Sequence, residues 1–75
     1  MKLIDLTKDS RAEILKINAE KALKDRLQSF GVMRGEEILV KGCSLAKQTM
    51  KIEIGSTLIA LRRDEAEKIE VKKLN

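Results

Sequence analysis

The chain has no histidine, proline, tryptophan or tyrosine, and only one cysteine and one phenylalanine in 75 residues. Each gap excludes something. Without histidine the commonest general base is missing. Cys43 alone cannot make a Cys/His zinc site or an internal disulfide, and a free thiol fits a reducing compartment. Phe30 is the sole aromatic, so there is no platform on which the bases of a single strand could stack. The longest apolar run is four residues, 58–61, where a transmembrane helix needs about 20. The opening "MKLIDLTKDSR" has no stretch long enough for a signal peptide. The expectation is a soluble, cytoplasmic chain with no direct membrane insertion.

Length sets the next limits. A chain of 75 residues is expected to form one small domain over residues 1–75, and at this size burial reaches only about 60% of the unfolded surface. Such a core is thin and leaves no room for a deep cleft. The 16 basic and 12 acidic residues, net charge +4, are mostly interleaved. That is not the one-sided basic stripe of a double-strand binder, so no nucleic acid is expected as a partner. One asymmetry stands out. Between Glu37 and Glu53 there is no acid, while Lys41, Lys47 and Lys51 fall there, so "VKGCSLAKQTMKI" reads as a basic loop carrying the only thiol.

What is present reads as short strands around one helix. "RAEILKI", residues 11–17, is short and β-rich in its later half. Asn18 looks like a helix N-cap. Ala19, Ala22, Leu23, Arg26, Leu27 and Phe30 then recur at helical spacing, an apolar face apart from Arg26. Gly31 stands where a helix C′ glycine belongs. A turn over 31–35 leads to a strand over 36–41, whose "ILV" is apolar on both faces. Met50, Ile52 and Ile54 alternate with Thr49, Lys51 and Glu53 as in a half-buried strand. Gly55-Ser56 suits a two-residue type II′ hairpin, which puts Ile52 opposite Ile59 and Met50 opposite Leu61. Leu58 and Ala60 then share the other face with Glu53 and Lys51, and need cover from the helix or a chain end. "DEAEK" is a corner, at most one helical turn, and "IEVKKL" a last strand with Ile69 and Val71 inward. The expected fold class is mainly β with one α-helix, in the order strand-helix-strand-strand-strand-strand, as a small closed or nearly closed barrel that hides its strand edges.

The ordered set "LKDRLQSFGVMRGEEILV" and "IEIGSTLIALRRDEAEKIEV" resembles the FeoA family of bacterial ferrous iron transport. The positions that carry the resemblance are Arg26, Leu27, Gly31, Gly35, Ile38, Val40, Gly55, Leu58, Ala60, Leu61, Arg62, Glu65, Ala66, Ile69 and Val71. It implies an SH3-like β-barrel, cytoplasmic, working with the membrane permease FeoB, and related to the SH3-like C-terminal domain of iron-dependent repressors. Two stretches depart from the pattern. The family's glycine before the first strand is replaced by "TKDSRAE", and its proline-containing segment after the second strand by "KGCSLAKQT".

Chemistry narrows accordingly. Asp64, Glu65 and Glu67 beside Arg62, Arg63 and Lys68 read as a solvated charge run rather than a metal site. Cys43, Met1, Met33 and Met50 are the only soft ligands. Transition metal ion binding, as a weak or transient iron contact, is therefore implied by the resemblance alone, with no resident cofactor and no metal ligands assigned. Glu36 and Glu37 point to opposite faces of a strand, and no serine has an evident base partner, so no enzyme is expected. A protein-protein adaptor remains, docking on the cytoplasmic portion of a FeoB-type permease through Arg34, Lys41, Lys47, Arg62 and Arg63. Neighbouring strand residues point oppositely, so Arg62 and Arg63 cannot serve one contact equally. The alternatives are an SH3-like regulatory interaction module of the repressor kind, or a small nucleic-acid-binding barrel.

Overall fold

Seven residues with Ala12, Ile14 and Ile17 turned inward, Arg11–Ile17, form β1. In the computed structural model, which describes residues 1–75, the chain continues through α1 (Lys21–Ser29), β2 (Glu37–Cys43), β3 (Thr49–Ile54), β4 (Thr57–Arg62), α2 (Arg63–Ala66) and β5 (Ile69–Lys73). Short 3-10 turns occupy Leu3–Asp5 and Leu45–Lys47. The strands make one antiparallel sheet in the order β4-β3-β2-β1-β5. The expected order of strands and helix is therefore observed, with α2 as the single turn of the corner.

The β3–β4 hairpin has the expected register: Ile52 faces Ile59 and Met50 faces Leu61. Gly55 has φ +60 and Ser56 does not share the positive region, the pattern of a type II′ loop, which glycine enters at no steric cost. Leu58 and Ala60 do not find the expected cover. Leu58 is 59% exposed and Ala60 is exposed, because both stand on the outer face of the terminal strand, where nothing packs.

Two expectations for α1 fail at its ends. Asn18 does not cap it: its N–H goes to the Lys68 carbonyl at 2.7 Å, extending the β1–β5 ladder beyond Ile17↔Ile69. The helix starts later, with Glu20 as its N-cap. Phe30, expected on the apolar face, is 48% exposed. The helix buries only a narrow stripe, Leu27 fully with Leu23 in part, and Ala19 just ahead of it is also partly buried. Its end is a Schellman motif. Val32 N–H reaches the Leu27 carbonyl and Gly31 N–H the Gln28 carbonyl, both at 3.0 Å, with Gly31 at φ +93. Leu27 and Val32, the apolar pair of that motif, are both fully buried.

Two bulges bend the sheet. Leu15 lies in the register shift between Ile14 and Lys16 of the β1–β5 ladder, and Lys41 in the shift between Val40 and Gly42 of the β2–β3 ladder. A bulge inserts one residue and breaks the in/out alternation. Leu15 and Lys16 consequently both face outward between buried Ile14 and Ile17.

The core is a single cluster of 18 buried apolar residues. Three of them, Leu3, Ile4 and Leu6, come from the opening segment, to which no structure was assigned from sequence. β4 and β5 do not pair, so the barrel is not strictly closed. The 3-10 turn at Leu3–Asp5 and α2 pack along that seam. The outer edge of β5 is covered: Val71 donates to the Met1 carbonyl at 2.8 Å, and Lys2 bridges Glu70. The outer edge of β4 has no strand partner.

Candidate functional site

The acidic corner is partly structural. Arg62 closes β4 and serves as N-cap of α2. The Glu65 carboxylate turns back, one oxygen accepting the Arg62 N–H at 2.9 Å and the other pairing with the Arg26 guanidinium of α1. Only 8% of Glu65 is exposed. A carboxylate so placed satisfies the first turn of α2 and pins that turn to the helix. This pair was not foreseen, although Arg26 and Glu65 both stand among the residues of the family resemblance. Asp64 and Glu67 stay at the surface beside Arg62 and Arg63. No three carboxylate or thiol groups converge as metal ligands anywhere in the chain.

The five cations singled out from sequence divide into two kinds. Lys47 turns inward, its ammonium donating to the carbonyls of Ile4 at 3.0 Å and Leu6 at 3.4 Å. Arg63 donates to the Ala46 carbonyl at 3.0 Å and lies 3.7 Å from Glu67. These two hold the chain to itself. Arg34, Lys41 and Arg62 make no side-chain hydrogen bond or ion pair and are exposed.

Lys41 and Arg62 belong to one surface. Lys41, at the bulge in β2, faces outward and lines a shallow concavity with Gly42, Cys43, Ser44, Thr49 and Lys51. Thr49 is also the register partner of Arg62. Lys41, Lys51 and Arg62 thus surround Thr49 on the outer face of β2, β3 and β4, next to exposed Ala60 and Leu58. Arg34 is elsewhere. It lies in a groove between β1 and α1, with Leu15, Lys16, Ile17, Lys24 and Gln28. Lys16 and Lys24 were not singled out from sequence. Lys16 reaches the groove only because the bulge at Leu15 breaks the alternation of β1.

This arrangement offers cations and a sheet face. Ser44 Oγ accepts the Thr49 N–H at 2.8 Å and Ser29 Oγ donates to the Arg26 carbonyl at 2.6 Å, so both hydroxyls serve turns rather than a base.

The model of the FeoA domain matches residues 1–73. The protein named Fe(2+) transport protein A in Campylobacter jejuni is 38% identical over 71 residues, 95% of this chain and 96% of that one. The solution structure of the FeoA protein from Chlorobium tepidum superposes with a TM-score of 0.93 at 33% identity, over 100% of this chain and 71% of that one. The crystal structure of Stenotrophomonas maltophilia FeoA with zinc, a prokaryotic SH3 domain protein, gives 0.83 at 26% identity, over 96% and 89% of the two chains.

Proposed function

The chain belongs to the FeoA family, and from that premise we propose that it is a non-enzymatic accessory of ferrous iron transport, docking on the cytoplasmic portion of a FeoB-type permease to support or regulate it. The observation that carries this reading is the family match across residues 1–73. The fold adds a physical constraint. No helix is long and apolar enough to cross a membrane, so the reading gives transport across the bilayer to a partner and contact to this chain.

The contact residues of this reading are the cations that have no internal partner: Arg34 on one side, and Lys41 with Arg62 on the outer face of β2, β3 and β4. Each is free to meet an acidic surface without first breaking a bond in the barrel. Lys47 and Arg63 would contribute only after releasing the carbonyls they hold. Any iron passing near the protein would be met as cargo by scattered surface carboxylates rather than by a built site.

The test is co-purification of the permease's cytoplasmic portion on the immobilised chain, together with ferrous iron uptake in a strain lacking it. Recovery of the permease and reduced uptake are expected. No recovery with unchanged uptake would overturn the reading.

A further inference from the structure

We propose that the groove between β1 and α1 receives an acidic, extended segment of a protein partner. This rests on the reading that the chain works by docking and gives it a place. The groove encloses about 360 Å³. Its side chains include three cations, Lys16, Lys24 and Arg34, with Gln28 and no acid. None of these four side chains has a hydrogen-bond or ion-pair partner in the chain. The contrast with the rest of α1 is sharp. Lys21 is paired with Asp25 at 2.8 Å and Arg26 with Glu65, so the helix neutralises its other cations and leaves Lys24 unmatched.

Two apolar residues also line the groove. Leu15 is 40% exposed and Ile17 lies beside it. The bulge at Leu15 breaks the alternation of β1, so that Lys16 joins Leu15 on the outside, and bulges commonly re-aim side chains at binding sites. The turn carrying Arg34 is fixed against the same strand, Gly35 donating to the Ile14 carbonyl at 2.8 Å and Ile14 to that of Glu36 at 2.9 Å.

The occupant follows from the layout. A compact phosphate is best held by converging backbone N–H groups at a helix N-terminus. This groove instead runs along the middle and C-terminal part of α1, away from such N–H groups. Its cations come from three separate elements and end long side chains. That suits several carboxylates spaced along an extended chain, with one apolar residue over Leu15. Arg34 can take a carboxylate in a two-point contact.

The experiment uses the full chain and a fluorescent ten-residue peptide of alternating glutamate, aspartate and leucine. Binding is followed by anisotropy at low and raised salt, and its site is mapped by backbone amide shifts. Shifts confined to Leu15, Lys16, Ile17, Lys24, Gln28 and Arg34 are expected. The triple variant K16E/K24E/R34E should weaken binding by about tenfold or more, since three exposed ion pairs together supply that much. The variant K8E/K72E/K73E carries the same charge change at exposed lysines outside the groove and should bind within about twofold of the parent at physiological salt, where charges farther than about 8 Å are screened. If the acidic triple does not fold, K16Q/K24Q/R34Q replaces it. Equal loss in both triples, shifts centred on Lys41 and Arg62, or no binding at low salt would overturn the proposal. Tighter binding of inorganic phosphate at the same amides would overturn the peptide as occupant.

Permease co-purification separates the two readings. Retention by the parent but not by the groove triple supports both. Retention by parent and groove triple alike sinks only the groove. No retention by the parent sinks the docking reading, and the peptide titration still decides the groove.

Discussion

A carboxylate with 8% of its surface exposed needs donors for its oxygens, and Glu65 has one for each. Glu65→Ala leaves the Arg62 N–H without its partner and frees Arg26. The expected loss is about 1–3 kcal/mol in chemical denaturation, while Asp64→Ala, at the surface of the same corner, stays within about 0.5 kcal/mol. Glu65→Gln should lose less than Glu65→Ala, because its amide oxygen can still accept from Arg62. Lys47 behaves the same way. Lys47→Ala removes a charged donor from the Ile4 and Leu6 carbonyls, and a loss of about 1.5–3 kcal/mol is expected, read from the denaturation midpoint. Nothing in a sequence distinguishes a lysine whose head turns inward from one that stays in water. Lys41 and Lys47 read alike in "VKGCSLAKQT", and only the fold separates them. Lys16 was hidden for a related reason: strand alternation is legible, but the inserted residue of a bulge is not.

At the level of elements, the β3–β4 hairpin was the most legible part of the chain. Strict alternation up to Ile54 and a two-residue Gly-Ser loop leave one register, since a slip by one would move Met50, Ile52 and Ile54 to the outer face. Helix α1 was legible in the middle and not at its start, because the β1–β5 ladder runs on through Asn18 and the cap at Glu20 has no side-chain cap bond to mark it. Its buried stripe makes a clear contrast. Leu27→Ala should cost about 2–5 kcal/mol, the range for deleting a buried leucine. Phe30→Ala, at a position 48% exposed, should cost well under half of that in the same thermal or chemical melt. Gly31→Ala tests the C-terminal motif. An added Cβ would sit 3.8 Å from Ile54 Cγ2, an ordinary contact, so the loss comes from the positive φ alone, about 1–2 kcal/mol.

For the molecule as a whole, the thin core makes every contributor matter. A domain of this size has a total stability of about 4–11 kcal/mol, and Leu3, Ile4 and Leu6 supply three of the 18 buried apolar residues. Removing residues 1–6 should leave a chain without cooperative unfolding, as judged by circular dichroism on heating. Leu6→Ala should keep the transition and lower it. The opening segment escaped the sequence reading because "LIDL" is too short for any period to show. It gains its structure only from the seam it fills between β4 and β5. The mainly β class, the succession of strands and helix along the chain and the inward residues of β5 were readable from pattern; the seam and the groove depend on bulges and on the opening segment, which leave no periodic trace.

The covered edge of β5 has a consequence for how the protein is made. β1 is bonded to β2 on one side and β5 on the other, and the backbone of Met1 is bonded to Val71. Residues 1–6 and one edge of β1 therefore wait for residues 69–73. Local pieces such as the β3–β4 hairpin can form early, but the barrel cannot be completed until residues 69–73 emerge, and such long-range pairing folds slowly. During that interval Leu3, Ile4 and Leu6 are bare, and a synthesis arrest ahead of Ile69 would release a chain with its core open and β1 unpaired along one edge.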